Sequence, residues 1–155
     1  MADSTQALAY NEALRGVTQQ QAVLDGIRAR ASALLGIAAV SASFLGGVAF
    51  KDAGPRGLSW IPIVAFVAVG VLAIWILLPV RGWKFSFDVN ILVTDYVEGS
   101  SPAKLDEMYR DLALHLGRHY TTNEQRLTRL FLKFKLASAI LVFEVVCWLI
   151  VLGWK

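Results

Sequence analysis

Glu107, Asp111, His115 and His119 stand at successive i, i+4 positions of one segment, and their types could do chemistry. Residues at that spacing share a helix face, and a histidine pair so placed can share a metal ion. No further histidine exists, however, and Arg110 and Arg118 interleave with the set. The cluster therefore reads as a solvated charged face, and neither a metal nor a cofactor is expected. Glu144 poses a different problem, because it stands alone in the otherwise uncharged run "LASAILVFEVVCWLIVL". A carboxylate at the depth of a bilayer costs about 2.5–3.5 kcal/mol, so it turns away from lipid. Two readings stay open. In one, a protonated Glu144 is hydrogen-bonded to Ser41 or Ser43; in the other, it is a pore, gate or proton-linked position. No Gly-rich phosphate loop, nucleophile elbow or paired-carboxylate motif occurs, so no catalytic residue is expected. Cys147 is the one cysteine, which excludes an intramolecular disulfide, and it reads as a small packing residue.

The elements that must position these residues follow from composition. Of 155 residues 56% are hydrophobic and 17% charged, with mean hydropathy +0.54. A globule of this size could not hide so much apolar surface behind a solvated exterior. Three runs hold the excess: residues 31–50, 60–80 and 136–152. At about 1.5 Å per residue, helices of that length reach roughly the 30 Å of a bilayer core. The expected fold is an all-α membrane protein with three transmembrane helices. Around them stand an N-terminal cytoplasmic helix (1–30), an external loop (51–59) and a central cytoplasmic helical region (81–135). The first run lies behind a long polar segment and exceeds a signal-peptide core, so it reads as an uncleaved anchor.

Lys and Arg set the expected orientation. Segments 1–30 and 81–135 carry twelve of the fifteen, while Lys51, Arg56 and Lys155 fall on the other side. The positive-inside bias favours a multi-pass protein with its N-terminus cytoplasmic and its C-terminus external. The sequence pI near 9.2 then needs no DNA or RNA partner; contact with anionic headgroups of the lipid bilayer is enough. Trp60, Trp83 and Trp154 suit an aromatic belt.

The first run is unlike the other two, since twelve of its twenty residues are Ala, Gly or Ser. Small residues recur at four-residue spacing, as in Ser32 and Gly36, or Ala39, Ser43 and Gly47, or Ala38, Ala42 and Gly46. Such residues let helix backbones approach closely in lipid. Gly36, Ser43, Gly46 and Gly47 are the expected packing positions, either inside one protomer or between several copies around an axis. Asp25, Arg28 and Arg30 mark the entry to this run. Asp25 and Arg28 are spaced to pair, and the three either anchor the headgroup boundary or couple cytoplasmic helices to the span.

The central segment has a helix start at Ser101 and Pro102, followed by Asp106 and Glu107. Leu105, Tyr109, Leu112, Leu116, Tyr120, Leu127, Phe131 and Phe134 then mark one stripe, which Asn123 interrupts. No proline follows Pro102, so this helix is free to run directly into the third run, although Gly117, with Thr121 and Glu124 spaced as a capping box, offers a possible break. In the N-terminal segment Leu8, Leu14, Val17, Leu24 and Ile27 are apolar positions of a helical pattern. Residues 83–97 are read as helix, because a lone strand would lack a partner.

"LDGIRARASALLGIAA" places an acidic residue, a basic–Ala pair and a Leu-rich span in succession, and "NEQRLTRLFLKFKLASAILVFE" leads into a last span. The two stretches resemble the entry "D-x-(K/R)-A-x-x-L-L" and the far end of the small bacterial transmembrane effectors of cyclic-pyrimidine anti-phage systems (Pycsar), and the related SLATT modules. The entry falls here on Asp25-Gly-Ile-Arg28-Ala29, one residue longer, or shifts to Arg30-Ala31. The resemblance covers most of the chain by layout. It implies a homo-oligomeric inner-membrane effector or channel that senses a cyclic nucleotide made in infected cells and breaches the membrane. A nucleotide ligand would want arginines and an aromatic face, which Arg110, Arg118, Arg126 and Tyr120 could supply; those arginines otherwise read as solvated charges. Two other classes stand beside this one. The chain could be a non-catalytic accessory membrane protein whose stripe packs against a partner complex, or, least favoured, a metal-dependent membrane enzyme using His115 and His119.

Overall fold

The computed structural model describes residues 4–51, 59–79, 93–94 and 104–153. They form three helices: α1 (Thr5–Phe50), α2 (Trp60–Leu77) and α3 (Leu105–Gly153). Each is long and apolar enough to cross a membrane, and no strand occurs among the described residues. The expectations for Trp83, Trp154, Arg56, Arg81, Lys84, Lys155, the Ser101–Pro102 helix start and most of 83–97 lie outside the described residues.

Two expected elements are not separate helices. The N-terminal polar segment and the first apolar run form one 46-residue helix, α1. The polar stretch from Leu105 and the third run likewise form one 49-residue helix, α3, so among the described residues no separate central helix precedes the third span. Of the two alternatives for the central segment, the helix runs on through Gly117, and side chains close the possible break there. The Thr121 hydroxyl donates back to the Gly117 carbonyl (3.2 Å) and the Thr122 hydroxyl to that of Arg118 (3.2 Å). A hydroxyl bonded one turn back is not capping a new helix start, and the ladder continues.

The ends have local causes. Ser4 caps α1, its Oγ accepting from the Ala7 N–H at 3.3 Å. Pro62 sits in the first turn of α2, where a missing N–H leaves no hydrogen bond unmade. Pro79 drives Leu78 to ψ 137°, away from helix, so α2 stops at Leu77 short of the expected residue 80. α3 begins at Leu105, where the Lys104 carbonyl accepts from the N–H groups of Glu107 (2.9 Å) and Met108 (3.1 Å).

The chain divides into two compact units. One contains the described residues of 1–24 and 80–128. Here α1 and α3 run parallel: Tyr10 stacks near Tyr109 (centroids 5.6 Å), and further along Gln20 Nε2 donates to the Tyr120 carbonyl at 2.9 Å. Val17, Gln20 and Leu24 are buried on α1, and Leu112, Leu116, Asn123 and Leu127 on α3. The expected stripe holds in part. Tyr120 is 40% exposed and Leu105 61%, as is Leu8 on α1 at 57%, whereas Asn123 is not an interruption but a buried member at 2%.

The other unit contains the described residues of 25–79 and 129–155. Its core gathers Leu34 and Ala38 of α1, Val69 of α2 and Ala137 of α3, with Phe66, Leu72, Phe134, Ile140 and Leu141 against them. α1 and α3 again run parallel, with Phe50 edge-on to Trp148 at 5.8 Å. α2 runs antiparallel to them. Its Val69 packs with Ala137, while the later Trp75 receives the Lys133 ammonium 4.8 Å above its ring. On α3 it is Leu130, not the neighbouring Phe131, that is buried. Exposed Val40, Phe44, Val64, Val67, Val142 and Phe143 give this unit an apolar exterior suited to lipid.

Candidate functional site

Glu144 is the centre of the candidate site. Fifteen residues into the unit's α3 segment, it falls on the inward stripe that alternates by three and four: Leu130, Phe134, Ala137, Leu141, Glu144, Trp148. Its side chain is 0% exposed. Neither carboxylate oxygen has a hydrogen-bond partner among the described residues, and neither does the buried indole nitrogen of Trp148. Trp148, one turn on, brings its indole toward the carboxylate without closing a bond of good geometry. Its ring is held elsewhere: it lies against Gly46, where an added Cβ would come within 3.2 Å of it, and against Phe50.

The expected bond from Ser41 or Ser43 is therefore not made. Ser43 is exposed, on a different face of α1 from the buried Ala38 and Ala49, and Ser41 is half-buried. The small residues of α1 divide between two faces. Ala31, Ala38, Gly46 and Ala49 pack inside the protomer, while Ser32, Gly36, Ala39, Ser43 and Gly47 are exposed. A Cβ built on Gly36 or Gly47 meets nothing within 4 Å. Of the four expected packing positions, Gly46 alone is used within the chain, and Gly36, Ser43 and Gly47 are left on the surface.

At the membrane entry, Asp25 and Arg30 are exposed and Arg28 is half-buried, its buried Nε without a partner among the described residues. The expected Asp25–Arg28 pair is not closed; Arg15–Glu12 (2.8 Å) and Arg110–Asp111 (4.0 Å) are ion pairs that do form. The proposed nucleotide ligands are not brought together either. Arg110, Arg118, Tyr120 and Arg126 are strung along one helix, so the first and last stand about 24 Å apart at the rise of an α-helix. Arg118 and Tyr120, two residues apart, face different ways. Arg110 and Arg118 are exposed, and Tyr120 rests its ring on Gly16.

Sequence reasoning missed three features. Buried Gln20 and Asn123 place amides in the seam between α1 and α3. Lys133 over Trp75 ties α3 to α2. The His115 and His119 rings are half-buried rather than solvated, while Glu107 and Asp111 are exposed. The three-and-four alternation running through residues 17, 20 and 24 would have flagged Gln20; nothing in the sequence pairs Lys133 with Trp75. Compared with protein-family models, with curated proteins and with solved structures, the chain has no match in any of the three.

Proposed function

We propose that this chain is an oligomeric inner-membrane effector or channel that disrupts membrane integrity on sensing a cyclic nucleotide in anti-phage defence. The observation that carries this reading is Glu144, a carboxylate buried in an apolar span with both oxygens unpartnered. A lone protomer gains nothing from such a group, since unpaired buried polar atoms cost about 1–3 kcal/mol. A partner supplied by a rearranged or assembled state would give it a role. The exposed small-residue face of α1 supports assembly, because it permits the close helix approach that the protomer leaves unused. The layout and the Asp25 to Ala31 entry sequence support the effector class through their resemblance to Pycsar effectors. Since Arg110, Arg118, Tyr120 and Arg126 are spread along one helix, a nucleotide would be held between copies rather than by one. The positive-inside bias supports an N-terminus in the cytoplasm and an external C-terminus.

A second reading draws on the exposed Leu8, Leu105 and Leu114 in the unit formed by the polar helix segments. They support an accessory protein whose polar segments dock on a partner complex. Liposomes loaded with a self-quenched dye separate the two. The effector reading expects dye release that depends on one member of a panel of cyclic nucleotides and is lost in Glu144→Ala. Folded, inserted protein that releases no dye with any nucleotide would overturn it and leave the accessory reading.

A further inference from the structure

We propose that His115 and His119 form a binding site for a divalent transition-metal ion of the kind that imidazole prefers: zinc, copper, nickel or cobalt. The chain contains two histidines, and both are here. Their Nε2 atoms converge to 2.9 Å, with ring centroids 4.5 Å apart and the planes at 76°. Both rings are half-buried and turn the same nitrogen toward each other. At this distance one neutral ring donates its N–H to the lone pair of the other. A metal ion uses both lone pairs instead. With metal–nitrogen bonds of about 2.0–2.1 Å and a tetrahedral angle, the nitrogens would stand about 3.3 Å apart. The found separation is a few tenths shorter, which a small change in either ring's torsion supplies.

The ligand type sets the ion. Imidazole suits zinc, copper and nickel, whereas calcium and magnesium want oxygen. No group of three or more candidate ligands exists among the described residues. The remaining coordination positions thus belong to water or an added molecule, as in an open site rather than a closed structural one. The pair brackets Gly117, the weakest helix former in this stretch of α3. A bound ion would clamp that turn, beside the buried Asn123 one turn on.

The test uses full-length protein in lipid nanodiscs, purified without a polyhistidine tag and stripped with chelator. Zinc is titrated by calorimetry, and cobalt by its visible absorption as a report of nitrogen ligation. We expect one ion per chain. His115→Ala and His119→Ala should each weaken binding by more than the 10- to 100-fold that loss of an outer-shell partner costs. Alanine favours helix, so circular dichroism should show both variants folded. Absence of one-equivalent binding by the wild-type protein would overturn the proposal. So would undiminished binding in either single variant, which would place the ion elsewhere.

Discussion

Replacing Glu144 by Leu removes a buried carboxylate with no hydrogen-bond partner among the described residues and leaves an apolar group of similar size on the α3 stripe, one turn before Trp148. Exchanging an unsatisfied polar group for an apolar one lifts its desolvation cost, so Glu144→Leu should stabilise the protomer by about 1–3 kcal/mol. Thermal unfolding in detergent reads this directly, and a loss of stability would mean that the carboxylate has a partner. The same variant should lose nucleotide-dependent dye release if Glu144 serves the assembled state, the trade expected where function keeps a destabilised group. Gly46 and Gly47 give a second contrast one residue apart. A Cβ at Gly46 would press on the Trp148 ring, whereas one at Gly47 meets nothing. Gly46→Val should therefore cost about 1–3 kcal/mol by overpacking. Gly47→Val should leave protomer unfolding within about 0.5 kcal/mol, as at an ordinary surface site. Equal melting temperatures for the two variants would contradict this division of faces.

Among the elements, α3 tests how far local sequence decides a helix. Gly117 suggested a break, yet the chain runs through it, because Thr121 and Thr122 spend their hydroxyls on carbonyls one turn back. Gly117→Ala should then stabilise α3 by up to about 1 kcal/mol, as the new methyl meets nothing. Helical melting followed by circular dichroism checks it, and destabilisation would show that the glycine is needed as a joint. The apolar runs were legible because lipid imposes length and composition, and Pro79 could have told where α2 stops. The register of the α1–α3 seam was not legible. In α3 the inward positions step by four twice around Asn123, from half-buried His119 to buried Asn123 and Leu127, before resuming the three-and-four alternation. Such an insertion rotates the stripe relative to a continuous repeat. It makes Leu127 and Trp148 the buried positions where an unbroken repeat would have placed Arg126 and Cys147. That Ser43 does not reach Glu144 was illegible for a related reason: its outward direction depends on the rotation of α1, which is fixed by Leu34 and Ala38 against Val69 and Ala137.

For the whole molecule, the question is what covers the small-residue face of α1. Its shallow residues offer lipid less side-chain surface than the exposed Val40 and Phe44 on the adjoining face. In the proposed oligomer a second copy would cover it, since close backbone approach is what small residues permit in a bilayer. Gly46 and Ser43 then differ in a measurable way. Gly46 lies against Trp148 of its own chain, whereas Ser43 is exposed. In a Cys147→Ser background, Ser43→Cys should form disulfide-linked dimers in native membranes on mild oxidation, and Gly46→Cys should not. The cross-linking should fall sharply when Gly47→Val is added, because the added methyls hold the two helices apart. Cross-linking at neither position would leave the α1 face to lipid and the protomer as the working unit. Cross-linking at Gly46 would instead mean that Trp148 leaves its own chain on assembly, the rearrangement that would also expose Glu144.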